Sequence, residues 1–165
     1  MPNQDNLKIS TGLGPLTRLV LLVVSVIFIA LSPVMAVEGE RLLKAHADDD
    51  NWLTYGHGYA NQRYSGLDQI NTDNVQRLVP KWIFQTGMLG TFPTSPIVAD
   101  GVMYLTTPYN HVVALDAATG TLRWRYRHEM AVDTLCCGSH NRGLAIGYGR
   151  LYMITADARL VALDA

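Results

Sequence analysis

The chain has 165 residues, 48% of them hydrophobic and 16% charged, with a formal net charge of −1. That balance excludes a nucleic-acid surface and a polybasic membrane patch, because both need clustered positive charge.

The first stretch reads as an export signal. Lys8 and Arg18 give a weakly basic start, with Asp5 among them. Leu19 to Leu31 is a 13-residue run broken only by Ser25, then Ser32-Pro33 interrupts it and Val34-Met35-Ala36 supplies small residues for a signal peptidase. The run is shorter than the roughly 20 residues that span a bilayer, so a signal peptide over 1–36, cleaved after Ala36, is expected, with an uncleaved membrane anchor as the alternative. The residue directly after that point is Val37, not a cysteine, which excludes a lipid anchor there. Losing Lys8, Arg18 and Asp5 moves the formal charge from −1 to −2. The acidic run Asp48-Asp49-Asp50 reads as a solvated segment ahead of the first ordered element.

From about residue 50 the chain consists of short β-branched and aromatic runs separated by Gly, Asn and Asp turns, an all-β pattern. Val79 to Phe84 holds Trp82, which looks like an earlier equivalent of Trp124. Residues 101–117 (GVMYLTTPYNHVVALDA) align without a gap on 149–165 (GRLYMITADARLVALDA), with eight of 17 pairs identical at a constant spacing of 48. A period of roughly 40–50 residues in strand-rich sequence marks a β-propeller blade. Gly101 to Thr107 is predicted as one strand, a turn falls around Asn110-His111, and Val112 to Leu115 returns. Asp116 to Gly120 makes a tight turn, with Asp bonding its own downstream backbone and Gly free to take positive φ. Leu122 to Tyr126 alternates apolar and charged residues as an outer strand, and Trp124 is expected to pack against a neighbouring blade. The sequence stops inside the second copy of the turn. It supplies about two blades, so a truncated propeller is expected.

Cys136 and Cys137 are adjacent and are the only cysteines. Neighbouring Cα atoms lie about 3.8 Å apart, closer than an ordinary disulfide prefers, and a bond between them would cross-link almost no chain. Such a pair suggests either a rigid platform for a ligand or two free thiols. The histidines 46, 57, 111, 128 and 140 show no helical pair spacing of a zinc site. His140 sits between the cysteines and Arg142 and reads as a loop-packing residue or as a lining of a pocket. Asn141 reads as a turn former, and Gly143 as a place of close backbone approach.

Three motifs in order carry a resemblance. Asn51-Trp52-Leu53-Thr54-Tyr55-Gly56 with Asn61 to Ser65, Leu67, Gln69-Ile70-Asn71 and Asn74-Val75 is one; Ala114 to Gly120 ending at Trp124 is the second; Cys136 to Gly143 is the third. Together they resemble the pyrroloquinoline-quinone (PQQ) dependent alcohol dehydrogenases, over residues 50–165. The resemblance implies an eight-bladed all-β propeller holding PQQ and a calcium or lanthanide ion near its axis. It implies that Cys136 and Cys137 form a vicinal disulfide against the quinone, and that Arg142 contacts the quinone oxygens. One departure stands out: many members place a glutamate where this chain has Pro93, which offers neither a side-chain acceptor nor a backbone donor. The family's metal ligands, catalytic aspartate and stacking tryptophan fall after residue 165, so no catalytic and no metal residue is assigned here.

The resulting expectation is the N-terminal part of a periplasmic enzyme that oxidises an alcohol to an aldehyde and passes electrons to a cytochrome c or a membrane quinone. The isolated piece is expected to be inactive. The alternative is a non-catalytic exported propeller scaffold, which the repeat fits equally well and the Cys136-Cys137-Arg142 set does not.

Overall fold

The structure, a computed structural model, describes residues 37–165, and the export signal read in 1–36 lies outside them. Two antiparallel sheets dominate. The first has strands β1 (Ile97–Ala99), β2 (Val102–Thr107), β3 (His111–Asp116) and β4 (Leu122–Tyr126), in that spatial order. The second has β5 (Ala145–Gly147), β6 (Arg150–Ile154) and β7 (Leu160–Asp164). No helix among the described residues is long and apolar enough to cross a membrane.

The repeat seen in sequence is a repeat of register. Ile97 faces Tyr104 as Ala145 faces Tyr152, and Tyr104 faces Ala114 as Tyr152 faces Ala162. Each unit opens with a two-residue hairpin turn, Asp100-Gly101 and Tyr148-Gly149, with positive φ at both central residues. Such turns match the right-handed twist of the strands they join. Each unit also closes alike: Ala117 N–H donates to Gly101 O at 2.9 Å, and Ala165 N–H to Gly149 O at 3.0 Å.

Burial separates the two units. In β3, Val112, Val113 and Ala114 are fully buried and Leu115 nearly so, because both faces of that strand are covered. Its counterpart β7 alternates exposed and half-buried residues, and Leu160 and Ile154 stand largely open. One core cluster joins Ile97, Ala99, Tyr104 and Ala114 of the first sheet to Ile146 and Leu151 of the second, with Leu53 and Val37 from the N-terminal segment. Trp124 packs on this cluster, its ring 6.0 Å from that of Tyr104.

The turn after β3 is tied by one carboxylate. Asp116 Oδ1 accepts from Ala118 N–H, Thr119 N–H and Thr119 Oγ1, while Oδ2 accepts from Arg123 at 2.8 Å. Gly120, at φ 71, lets the indole of Trp82 lie against its backbone, where a Cβ would meet Cε3 at 2.4 Å. Trp82 Nε1 donates to Ala117 O at 3.1 Å. The docking turn therefore receives the tryptophan of the preceding unit. Around Trp82 the chain is extended and its burial alternates from residue 81 to 89, yet no backbone–backbone hydrogen bond engages residues 79–89 among those described.

The acidic run is exposed at Asp49 and Asp50, as expected, but it is not the lead-in to the first ordered element. It is preceded by ordered chain, α1 (Gly39–Leu43) and a 3₁₀ turn over Ala45–Ala47, and its side chains are used structurally. A five-residue helix cannot hold itself. Here Arg41 of α1 donates to both carboxylate oxygens of Asp100, at 2.9 and 2.7 Å, and lies 3.6 Å from Asp48. Asp49 accepts from Gly66 N–H at 2.7 Å. Sequence offered no local signal for these partners, since Arg41 and Asp100 are 59 positions apart. His57 completes the segment, buried and stacked on Trp52 at 4.4 Å, with its ring nitrogens against Tyr64 O and Asp48 O.

These carboxylates make the fold acid-sensitive. The Arg123 guanidinium and then the Thr119 hydroxyl hold Asp116 down at about 2 from an ordinary 3.8. Hydrogen bonding from Thr155 and from Ala131 N–H holds Asp157 lower still. A depressed carboxyl contributes stability that is complete above the unfolded value and fades as pH falls through the folded one. Thermal melts should therefore drop between about pH 4 and about pH 2, and Asp116→Asn should flatten part of that drop while lowering the melt at neutral pH.

Candidate functional site

The segment between β4 and β5 carries every residue singled out from the third motif. Cys137, Gly138, Ser139, His140 and Arg142 line a cleft of about 430 Å³ together with Gly90, Thr91 and Pro93. Pro93 thus shares the cleft with the cysteine segment and brings no side-chain acceptor to its wall. His140 is among the residues lining the cleft. A larger neighbouring hollow of about 580 Å³, bounded by Tyr55, Tyr152, Ile154 and Leu160, shares His140 and Arg142.

Cys136 and Cys137 are free and exposed, with Sγ atoms facing one another at 2.8 Å. Their side chains point together on one side of the loop. The hydrogen bond to Cys136 pushes the Cys137 thiol up from its ordinary range.

Arg142 is exposed, and no ion pair among the described residues engages it. No carboxylate lines its cleft. A guanidinium without a protein partner presents its fork of donors to whatever occupies the space. The residues on each side of it are tightly fixed. Asn141 Nδ2 donates to Asn110 Oδ1 and to Ile154 O, both at 2.9 Å, and Asn141 Oδ1 accepts from Gly143 N–H at 3.0 Å. Asn141 is therefore a buried connector between the two sheets. Gly143, at φ 127, brings its backbone so near β1's lead-in that a Cβ would stand 3.2 Å from Ser95 O, which bears out the close approach expected of it.

Sequence reasoning passed over two residues behind this segment. Asp157, its carboxylate fully buried, meets His128 Nε2 at 2.9 Å and Ala131 N–H at 3.0 Å. His128 N–H in turn donates to His111 Nδ1 at 3.0 Å. Burial, then the Arg127 charge, lowers the affinity of His111 for a second proton. Among the described residues no three His, Cys, Asp or Glu side chains gather as a metal centre.

Two antiparallel sheets that repeat in register, each opened by the same hairpin turn, are units of a β-propeller. The chain belongs to the PQQ family described as Glucose/ethanol/alcohol dehydrogenase, beta-propeller domain, whose model matches residues 52–165. It is 46% identical over 132 residues to the dehydrogenase subunit of the alcohol dehydrogenase (quinone) of Gluconacetobacter polyoxogenes, covering 77% of this chain and 18% of that one. It is 37% identical over 166 residues to the quinohemoprotein alcohol dehydrogenase ADH-IIG of Pseudomonas putida, covering 94% of this chain and 23% of that protein. Among solved structures, a europium-containing methanol dehydrogenase superposes with a TM-score of 0.71 at 40% identity, covering 77% of this chain and 23% of that one. The chain thus spans about a fifth of the length of these relatives.

Proposed function

We propose that the chain is the N-terminal part of a periplasmic PQQ-dependent dehydrogenase that oxidises an alcohol to an aldehyde. In this reading residues 1–36 direct export, and the two sheets are the first blades of an eight-bladed ring. The observation that carries it is the cleft where the Cys136-Cys137 segment and an unpartnered Arg142 face Thr91 and Pro93 with no carboxylate between them.

That wall fits the cofactor. PQQ supplies a planar quinone that accepts the electrons of the alcohol, and it carries acidic oxygens. Arg142 would hold such oxygens with a permanent positive charge. Cys136 and Cys137, joined in the oxidising periplasm, would offer polarisable sulfur to a flat ring. The names of relatives support both a lanthanide-dependent and a haem-containing setting: one is a lanthanide-dependent methanol dehydrogenase of Methylacidiphilum fumariolicum, and another a quinohemoprotein. Calcium or a lanthanide is accordingly the metal, with ligands expected on other parts of the enzyme, and a cytochrome c or membrane quinone takes the electrons.

Residues 37–165 contribute one wall of the cofactor site and no group placed to take the alcohol's proton. PQQ added with calcium or a lanthanide should quench the protein's tryptophan fluorescence without any dye-linked turnover of alcohols. Turnover by this piece, or absence of PQQ binding by the longest natural form of the chain, would refute the reading.

A further inference from the structure

The loop from Arg127 to Leu144 has no regular structure, yet it presents Cys137 and Arg142 to one cleft. Between Val132 and Gly138 its only hydrogen bond among the described residues is the one joining Cys136 and Cys137. Its conformation is therefore imposed where it is held, at its two feet.

Both feet are gripped by turns that occupy the same place in successive repeats, residues 107–110 and 155–158. Asn110 is the hub of the first. It is fully buried at φ 59, a left-handed conformation that asparagine tolerates better than most residues. Its Nδ2 lies 3.1 Å from Met130 Sδ at one foot, while its Oδ1 accepts from Asn141 Nδ2 at 2.9 Å at the other. The same oxygen accepts from Ala156 N–H of the second turn at 3.1 Å. Its neighbour Tyr109 donates its N–H to Ser139 O at 2.7 Å. Asp157, next to Ala156, holds His128 and Ala131 N–H.

We propose that Asn110 is a positioning residue for the cleft: its buried amide ties Met130 to Asn141 and so sets the conformation in which Cys136 and Cys137 face each other and Arg142 lines the cleft wall. Asn110 does not itself line the cleft. Asp157 is the second post of the same clasp. The inference rests on the cofactor reading for what the loop serves, but the clasp itself can be read out without cofactor.

That readout is the closing of the dithiol. Glutathione disulfide takes two electrons and two protons from Cys136 and Cys137, giving one vicinal disulfide and two molecules of glutathione. A loop held with its sulfurs face to face has less conformational freedom to lose on closing than one whose feet are released. The full chain would be equilibrated in glutathione buffers, quenched with acid, alkylated and weighed. Asn110→Gly keeps the left-handed backbone and removes the amide; it should shift the equilibrium about tenfold towards the dithiol, the scale of one or two lost buried hydrogen bonds. Asn110→Asp retains an acceptor for Asn141 and Ala156 and should recover most of that shift. Asp116→Asn, which loosens a turn at the far end of the sheet, should leave the equilibrium where it was.

An unchanged equilibrium in Asn110→Gly, or an equal shift in Asp116→Asn, would overturn the clasp. A PQQ titration of the same proteins separates the two ideas. A wild-type chain that binds no PQQ while Asn110→Gly still shifts the thiols supports the clasp and removes the cofactor reading. A wild-type chain that binds PQQ while the Asn110→Gly thiols stay unmoved does the reverse.

Discussion

Gly120→Val should lower the stability of residues 37–165 by about 3–5 kcal/mol, among the largest effects of any single exchange outside the core. Two causes add. The position has φ 71, where a side chain costs about 1–2 kcal/mol. In addition, a Cβ there would stand 2.4, 2.5 and 2.9 Å from three atoms of the Trp82 indole, so the ring must leave. Its departure breaks the 3.1 Å bond to Ala117 O and exposes a large aromatic surface. Gly101→Ala is the internal control. It has a similar φ of 77 but open space within 4 Å, so it should show the conformational cost alone. Urea titrations of the two variants and of Trp82→Ala would check the assignment. Gly120→Val combined with Trp82→Ala should cost much less than the sum of the single changes, because both remove one contact.

Arg142→Gln should weaken PQQ binding by roughly a hundredfold, the worth of a charge-assisted hydrogen bond with its partner left unpaired. The change leaves the fold untouched, since the side chain is exposed and no ion pair among the described residues holds it. Arg125→Gln, on the outer strand β4 and away from the cleft, should bind as the wild type does. Arg142→Lys restores the charge without the planar fork and should fall between. Tryptophan quenching at two salt concentrations would measure all three. Equal affinities for wild type and Arg142→Gln would remove the guanidinium from the cofactor wall.

Much of the fold was legible because the units repeat. Alternation in β4, turn chemistry at Asp116 to Gly120, and the constant spacing of 48 mark the same boundaries that the sheets show. Cys136, Cys137 and Arg142 were legible through motif resemblance, and the structure brings Cys137 and Arg142 to one cleft. What stayed hidden depends on partners distant in sequence. Asn110 and Asn141 are 31 positions apart, and His128 and Asp157 are 29 apart; neither pair leaves a local pattern. Asn110 did leave a faint trace, an asparagine where a turn needs a left-handed residue, but nothing in that trace names its partners. The docking tryptophans were visible as residues; which turn each one meets was not, because pairing between units is a tertiary choice. The acidic run is exposed at Asp49 and Asp50, as its composition says, but that Asp49 takes Gly66 N–H from 17 positions away left no local trace.

The extended stretch around Trp82 bears on how quickly such a molecule can form. Its main-chain amides and carbonyls from 79 to 89 find no partner in β1 to β7. What holds this stretch is Trp82 on the turn 35 positions downstream, so it orders only once that turn has formed, and such non-local closure slows folding. Until that docking, its unpaired amides are open to any stray extended peptide. Ribosome-bound intermediates should therefore lean on holdase chaperones for longer than an α-helical chain of equal size would.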